Sequence, residues 1–380
     1  MKTIFLFLCL QAASLFCAAT PVWATRDILP ETLPLESMIG QMIMVGFRGD
    51  GSDPNSPEMR TVLADIRDGR LGGVILFERD WQTKKRGRNI RSVQQVAELC
   101  ALLQKNAPIP LFIGIDQEGG RVQRFRREHG FSETPSAAYL GASDLENTHK
   151  TALTLGSALR AIGINVNFAP VADVAVHPDS PAIGALGRAF SDDVETAARH
   201  AVAFMDGQVE SGIIGSYKHF PGHGSATTDT HKHLTDITET WREEELTLYK
   251  SLPPNGPFMI MTGHLIHREL DPLYPASLSK AIPTGLLREK LGWQGVVITD
   301  DLEMNASELF YSIEERVRLA IDAGVDIIMF ANNLRYHPEQ CRRVHAAIME
   351  QVRMGKISPE RIAESWKRIR TLKKIINDNF

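Results

Sequence analysis

The sequence predicts an α/β fold, a single (β/α)8 TIM barrel, from three observations. Eight short apolar runs recur along the 380-residue chain, and most are apolar throughout, as are strands buried on both faces of a parallel sheet. Successive runs are separated by roughly 25 to 50 residues, which is enough for a crossover helix with its loops. No GxGxxG motif follows an early run, so the doubly wound open sheet, the alternative fold, lacks its best marker.

The eight predicted strands follow one another in chain order. They cover residues 42–47, 73–77, 111–115, 164–169, 213–217, 258–262, 295–299 and 325–330. Amphipathic stretches between them predict helices, among them residues 93–103, 151–161, 194–210 and 313–323. Near the end of the chain, Ser358 before Pro359 is typical of a helix start. The apolar stripe of the helix that follows is Ile362, Trp366, Ile369 and Ile376. We therefore expect this helix to close the barrel wall rather than to begin another domain.

The composition excludes several classes of protein. A hydrophobic share of 43% is far too high for a disordered chain. The 42 Lys and Arg residues against 46 Asp and Glu residues give a net charge of −4, so there is no basic excess to bind nucleic acid. We expect a globular, monomeric protein with no nucleic-acid partner.

Residues 1–24 have the pattern of a signal peptide. Lys2 precedes an apolar stretch over residues 4–16, and Ala24 offers a small residue at a plausible cleavage point. An uncleaved membrane anchor is the alternative, although the apolar run is short for a span. Cys17 suggests a lipoprotein, but the bulky Phe16 before it is unusual there. We expect an exported protein, periplasmic or secreted, with no stable membrane insertion after cleavage, whose residues 25–380 form one catalytic barrel.

Only Cys100 and Cys341 remain beyond residue 24. Two cysteines form no disulfide framework, although the two could pair with each other. Two separate, small core residues on helices are the simpler interpretation.

Three of the predicted strands run directly into dense polar clusters. These are residues 116–124 after the third strand, 218–224 with 229–231 after the fifth, and 299–304 after the seventh. One carboxylate at a strand end could simply cap the next helix. Because the C-terminal ends of barrel strands meet on one face, three such clusters predict an active site there.

Four histidines close together raise the possibility of a zinc site. His219, His223, His231 and His233 lie within fifteen residues, and zinc favours imidazole. Their spacing does not fit one helical face, however, and the interleaved proline and glycines predict an irregular loop, so we expect no metal. Asp229 and His231, two residues apart, can instead form a hydrogen-bonded pair in which the carboxylate orients the ring and raises its basicity.

The motifs carry a resemblance to a known family. They are residues 115–124 (IDQEGGRVQR), 167–173 (NFAPVAD), 187–191 (GRAFS), 218–224 (KHFPGHG) with 229–231 (DTH), 275–279 (PASLS) and 295–304 (GVVITDDLEM). In this order the sequence resembles the bacterial β-N-acetylglucosaminidases (β-N-acetylhexosaminidases) of glycoside hydrolase family 3, exo-acting enzymes of cell-wall turnover, from about residue 35 to residue 372. The lysine-to-histidine loop with its Asp-x-His separates this subgroup from the β-glucosidases of the family, whose acid comes from a later domain.

The resemblance implies a role for each matching position and requires no cofactor. Asp300 would be the nucleophile of a retaining mechanism, and His231 the general acid/base with Asp229 as its orienting partner. The residues implied to hold the terminal sugar are Asp116, Arg124, Arg188, Lys218 and His219, whose cations should make the pocket locally basic. Asp301 should point away from the sugar, because successive side chains of a strand alternate in direction. Glu118 is the alternative acid, although the glycines beside it suggest a turn.

Several alternatives remain open on the sequence. The expected activity is removal of terminal GlcNAc from peptidoglycan fragments or chitooligosaccharides. The same site could act as a phosphorylase, and an exported sugar-binding protein or a zinc hydrolase are further possibilities. We expect residues 225–230 to form a mobile loop that carries His231 over the sugar. The basic insert at residues 84–88 matches no family role; it is a solvated loop or a contact for anionic muropeptides or the cell wall.

Overall fold

The structure, a computed structural model, describes residues 29–228, 235–304 and 310–379. Its main feature is an eight-stranded parallel sheet. The strands are β1 (Ile43–Gly46), β2 (Gly73–Ile75), β3 (Phe112–Ile115), β4 (Val166–Asn167), β5 (Ile214–Phe220), β7 (Phe258–Thr262), β9 (Val297–Thr299) and β10 (Ile328–Phe330). Their order in the sheet is β10-β1-β2-β3-β4-β5-β7-β9. Outside this sheet, β6 (Thr235–Asp236) and β8 (Leu265–Ile266) form a short parallel pair.

The sheet closes on itself into a barrel. A parallel bridge between Ile298 and Ile327 joins the β9 edge to the β10 edge, and β10 pairs with β1 from Ile43–Ile328 onward. All eight strands are therefore parallel neighbours around a ring, with helices in the connections. The predicted (β/α)8 TIM barrel is confirmed.

Each predicted strand exists, although most are shorter than predicted, and the fourth and fifth differ most from the apolar pattern. The fourth strand is only Val166–Asn167, because the Ala169 amide turns back to the Asn167 carbonyl (2.8 Å) and Pro170 has no N–H to donate. The fifth strand continues past Tyr217, because Lys218 and Phe220 still pair with β7. This extension carries polar residues into the sheet, which an apolar pattern cannot predict.

Helices occupy the connections and pack their apolar faces on the barrel. The α-helices are Leu35–Gln41, Pro57–Arg67, Val93–Asn106, Ala137–Gly141, Leu145–Ala161, Val194–Glu210, Thr247–Ser251, Ile313–Asp322, Gln340–Arg353 and Pro359–Asn379, and Ala281–Lys290 is a π-helix. Short 3-10 turns lie at Arg127–His129, Gly184–Leu186, Glu243–Leu246 and Ala276–Leu278. The four predicted helices are confirmed, and side chains of Ser92, Asp144, Asp193 and Ser312 cap their N-termini.

The last helix closes the N-terminal end of the barrel. Ser358 accepts the Arg361 amide as its N-cap, and the stripe predicted from Ile362 to Ile376 is buried. Lys373 lies at that end, where its Nζ donates to Gln41 Oε1 (2.6 Å) and to the carbonyls of Gly72 (2.8 Å) and Pro110 (2.7 Å). The polar clusters lie at the opposite end of the barrel, where the strands finish.

The predictions about the cysteines and about membrane insertion can be compared with the described residues. Cys100 and Cys341 are buried, unpaired thiols on separate helices, and burial raises the pKa of Cys100 to about 12. Within the described ranges, no helix has both the length and the apolar character needed to cross a membrane. The predicted signal peptide, residues 1–24, lies outside the described residues.

Candidate active site

A cluster of buried ion pairs lies where β3 and β5 end. Asp116 receives Arg124 Nη2 at 2.9 Å on one oxygen and Lys218 Nζ at 3.0 Å on the other. Glu118 Oε1 lies 2.7 Å from Lys218 Nζ, and both of its oxygens accept from the Arg188 guanidinium at 2.7 and 2.8 Å. Four of the residues implied to bind the sugar therefore meet, and Glu118 joins them.

Charge pairing fixes the protonation of this cluster. Burial alone would raise the pKa of Glu118, but Arg188 and Lys218 outweigh it and hold that pKa far below its usual range. Lys218 and Arg124 likewise lower the pKa of Asp116 against the effect of burial. Burial would lower the pKa of Lys218, yet Glu118 and Asp116 raise it. Glu118, Asp116 and Lys218 therefore stay ionised at neutral pH.

One alternative for this region needs correction. Glu118, the alternative acid, cannot give up a proton near neutral pH, because its carboxylate is already ionised and paired with two cations. Gly119 and Gly120 do form the expected turn, both with positive φ, but the Glu118 side chain joins the ion cluster. The three cations expected to make the pocket basic, Arg124, Arg188 and Lys218, each contact a carboxylate, Asp116 or Glu118.

Arg124 is the part of the cluster that a ligand can reach. Its side chain is 29% exposed, the most open of the cluster, whereas that of Lys218 is 3% exposed. Asp116 and Arg124 therefore form the accessible part of the cluster, and Lys218 with Glu118 forms its floor.

His219 is held by a carboxylate from the neighbouring strand. Asp173, which follows β4, accepts the His219 amide (3.0 Å) on one oxygen and His219 Nδ1 (2.7 Å) on the other. Burial would raise the pKa of Asp173, but His219 lowers it, so the carboxylate accepts an Nδ1–H. This bond sets the tautomer of the His219 ring.

The next turn of the loop is also anchored to Asp173. The His223 amide donates to Asp173 Oδ1 at 2.7 Å, and burial together with His219 lowers the pKa of His223 to about 4, so that this ring is neutral. Gly224 has no room for a side chain, because a Cβ there would lie 1.6 Å from the Val174 carbonyl oxygen. The loop therefore packs closely on the segment after β4.

Asp300 stands at the end of β9, on the same face as the ion cluster. It is half-buried, its amide donates to the Thr262 carbonyl (3.0 Å), and its Oδ1 accepts the Asp301 amide (2.8 Å). The Asp301 carboxylate is buried and accepts the amides of Glu303 (3.0 Å) and Ala331 (2.9 Å). These contacts fit the structural role expected of Asp301 and differ from the surroundings of Asp300.

A buried histidine supports the backbone beside Asp300. His264, which follows β7, contacts the Asp301 carbonyl oxygen through Nε2 (2.8 Å) and Ser277 Oγ through Nδ1 (2.6 Å). Ser277 belongs to the 275–279 motif, for which the sequence suggested no function. The contact explains that motif as support for the end of β9.

The predicted mobile loop is only partly described. Asp229 and His231 lie outside the described residues. Ser225 and Ala226 are fully buried, and Ala226 packs with Ile237 and Leu265. The first two residues of the predicted 225–230 loop therefore belong to the packed structure. The sequence could not show this, because the burial of Ala226 depends on packing against Ile237 and Leu265.

Glu245 lies beneath the same loop. It is buried, its Oε1 accepts the Arg242 amide (3.1 Å), and a Cβ on Gly222 would lie 2.6 Å from its Oε2. Burial raises the pKa of Glu245 to about 8. In residues 29–228, 235–304 and 310–376, no group of three or more His, Cys, Asp or Glu side chains is arranged to hold a metal.

Sequence reasoning missed Asp173, His264 and Glu245. Asp173 ends the 167–173 motif after β4, so its position at a strand end could have marked it. Nothing in the local sequence distinguishes His264 or Glu245, because their roles depend on distant segments that pack against them.

Comparison with known proteins identifies relatives over most of the chain. Residues 34–372 match the profile of the glycosyl hydrolase family 3 N terminal domain. Beta-hexosaminidase A of Pseudoalteromonas piscicida is 31% identical, with 93% of this chain and 63% of that protein covered. A beta-hexosaminidase of Thioalkalivibrio sulfidiphilus is 35% identical, with 74% of this chain and 78% of that protein covered. The chain thus spans less than two thirds of the first relative.

Solved structures show the same fold. A family 3 beta-N-acetylglucosaminidase from Paenibacillus sp. superposes with a TM-score of 0.79 at 34% identity, over 90% of this chain and 63% of that one. Beta-N-acetylhexosaminidase from Beutenbergia cavernae gives 0.78 at 30% identity, over 91% of this chain and 100% of that one. Both likenesses extend over the barrel and its strand ends.

Proposed function

The chain belongs to glycosyl hydrolase family 3, and we propose that it is an exo-acting, retaining β-N-acetylglucosaminidase. Its substrates would be peptidoglycan fragments or chitooligosaccharides that carry a terminal, non-reducing GlcNAc. The names of the relatives, beta-hexosaminidase and beta-N-acetylglucosaminidase, support this activity class. The proposal extends to the whole protein, including export directed by residues 1–24.

One structural observation carries the proposal. Asp116, Arg124 and Lys218 converge on the barrel face at which Asp300 ends β9. Carboxylate and guanidinium groups so arranged can bind the hydroxyls and the N-acetyl group of one sugar, since they offer both acceptors and donors. Because Lys218 and Glu118 are buried beneath them, the cluster is preorganised and should bind a terminal sugar in one orientation.

In this mechanism Asp300 attacks the anomeric carbon. The bond from that carbon to the leaving oxygen breaks as the bond to the Asp300 carboxylate forms, which gives a covalent glycosyl-enzyme. The contact of Oδ1 with the Asp301 amide fixes the carboxylate orientation, and His264 supports the adjoining backbone. Water then hydrolyses the intermediate and releases GlcNAc with its configuration retained.

His231 would donate the proton that the leaving oxygen needs, with Asp229 orienting the ring. In the second step the same imidazole accepts a proton from the attacking water. An imidazole can perform both steps near neutral pH because its ordinary pKa is about 6.5, so its protonated and neutral forms are both populated.

Activity on aryl glycosides tests the proposal. The purified protein should hydrolyse aryl GlcNAc and not aryl glucoside, and Asp300→Ala should abolish both turnover and a glycosyl-enzyme seen by mass spectrometry. Turnover that persists in Asp300→Ala would exclude this nucleophile. A rate that requires added phosphate would instead support a phosphorylase.

The acid/base assignment needs its own comparison. His231→Ala should lose most activity on natural disaccharides and less on activated aryl glycosides, whose leaving groups need no proton. His233→Ala, in the same segment of the sequence, is the matched control and should leave the activity on both kinds of substrate unchanged. Equal losses on both substrates would remove His231 from this role.

A further inference from the structure

The loop after β2 carries the basic insert and folds as a rigid hairpin. The Asp80 amide donates to the Lys85 carbonyl (2.8 Å), and the Arg88 amide donates to the Glu78 carbonyl (3.0 Å). The Asp80 carboxylate also accepts the amide and hydroxyl of Thr83 at 2.8 and 2.9 Å. The tip, residues 81–85, is therefore fixed before any ligand binds, which lowers the entropy lost on binding.

Buried contacts place this hairpin at the rim of the candidate active site. The Trp81 amide donates to Asn333 Oδ1 (2.9 Å), just after β10, and Arg88 donates to the Asn332 carbonyl (2.8 Å). Two residues before Asn333, the Ala331 amide binds Asp301, the neighbour of Asp300. Trp81 thus lies over the β2–β10 side of the face on which Asp300 stands.

A second connection joins the hairpin to the sugar-binding cluster. Two guanidinium groups lie near the Phe77 ring, with Arg124 Cζ 5.4 Å and Arg88 Cζ 5.9 Å from its centroid. Arg124 binds Asp116, and Arg88 binds Asp80. The hairpin and the cluster therefore share a packing partner, the Phe77 ring.

Trp81 is 50% exposed although it is a large aromatic residue. Lys84 places its ammonium 4.0 Å from the Trp81 ring centroid, and Arg79 Cζ lies 5.7 Å from it. Lys84 does so with a left-handed φ of 61°, a conformation that residues with side chains rarely adopt. Only Asn332 among the other described non-glycine residues shares a positive φ.

The hairpin charges divide into two groups. Arg86 and Arg88, which the sequence grouped with a solvated loop, pair with Glu78, Glu128 and Asp80. Arg79, Lys84 and Lys85 are exposed and have no acidic partner among the described residues. The tip therefore presents an aromatic face together with uncompensated positive charge.

We propose that Trp81, Lys84 and Lys85 form a subsite for the leaving-group part of the substrate, and that this part carries a carboxylate. The inference rests on the proposed function, because a terminal sugar held by Asp116 and Arg124 directs the rest of the chain outward. The indole stacks on the apolar face of a sugar, and the lysines attract its acid group. This selects acidic fragments over neutral chitooligosaccharides.

The test compares two disaccharides with the same terminal sugar. GlcNAc-MurNAc, which carries a lactyl carboxylate, and neutral chitobiose are each measured as kcat/KM relative to GlcNAc fluoride, whose leaving group is too small to reach the subsite. Trp81→Ala should lower both ratios about tenfold, because stacking is lost for either sugar. Lys84→Gln with Lys85→Gln should lower only the GlcNAc-MurNAc ratio, by about fivefold, and added salt should reduce the wild-type preference.

Tyr139→Ala and Lys150→Gln are the matched controls, an exposed aromatic residue after β3 and an exposed lysine on Leu145–Ala161. Neither should change the ratios. The subsite is refuted if Trp81→Ala leaves both ratios unchanged, if Tyr139→Ala alone lowers them, or if the variants lose only sedimentation with insoluble peptidoglycan. A wild-type protein inactive on aryl GlcNAc refutes the proposed function itself, and the subsite with it.

Discussion

Replacing Glu118 by glutamine tests how the ion cluster is held together. Both Glu118 oxygens accept from Arg188, and Oε1 also contacts Lys218 at 2.7 Å. The Lys218 side chain is 3% exposed and that of Glu118 is 7% exposed, so water cannot replace the lost charge. Glu118→Gln keeps the shape of the side chain but leaves two buried cations short of a carboxylate.

The expected cost follows from this burial. Removing one partner of a buried ion pair destabilises by about 3 to 5 kcal/mol, since the remaining charge stays desolvated. The glutamine carbonyl can still accept one hydrogen bond, which places the expected loss near the lower limit, about 3 kcal/mol. Exposed pairs contribute about 0 to 1 kcal/mol, because water already solvates both ions.

Denaturant unfolding followed by tryptophan fluorescence measures the free energy of unfolding, and kcat on aryl GlcNAc is measured alongside. The control is Glu128→Gln, whose carboxylate is 49% exposed and contacts Arg86, a cation that also has Glu78. We expect a loss near 3 kcal/mol for Glu118→Gln and below 1 kcal/mol for Glu128→Gln. Equal losses would refute the buried-pair argument. Full stability with lowered kcat would instead show that Glu118 serves the placement of Arg188 and Lys218 and not the fold.

Three further predictions concern buried polar groups. Lys373→Met should lower the free energy of unfolding by about 2 kcal/mol, because three acceptors at the barrel bottom lose their donor, whereas Lys374→Met at the exposed neighbour should change it little. Glu245 has its pKa raised to about 8, so the native state binds this proton more tightly than the unfolded chain does, and stability should fall as pH rises from about 4.5 to about 8. Thermal unfolding of Glu245→Gln across that range should show the fall reduced, and an unchanged slope would contradict the assignment. Asp173→Asn should lower kcat/KM by about 10- to 100-fold while the protein stays folded, because the amide oxygen still accepts the backbone N–H groups but no longer fixes the His219 tautomer. A loss confined to stability would show that Asp173 serves the fold alone.

The barrel and its strand order were predictable because their determinants are local. Each strand is buried on both faces, so its residues are apolar throughout, and this pattern is visible within a few residues. The N-cap at Ser358 depends on immediate neighbours, and it was predicted. Strand ends were harder, since Lys218 and Phe220 stay in the sheet only because β7 pairs with them.

The sequence by itself determined the family, the barrel and the strand ends at which we propose that the chemistry lies. Tertiary structure alone decided which of those residues contact each other. Glu118 and Arg188 are 70 residues apart, and Lys218 lies 102 residues from Asp116. A charge pattern does not specify partners at such separations, because each pair depends on barrel closure, on side-chain rotamers and on the absence of water. For the same reason, Glu118 could be read from the sequence as an acid or a turn residue, and only its burial between two cations makes it the ionised centre of the cluster.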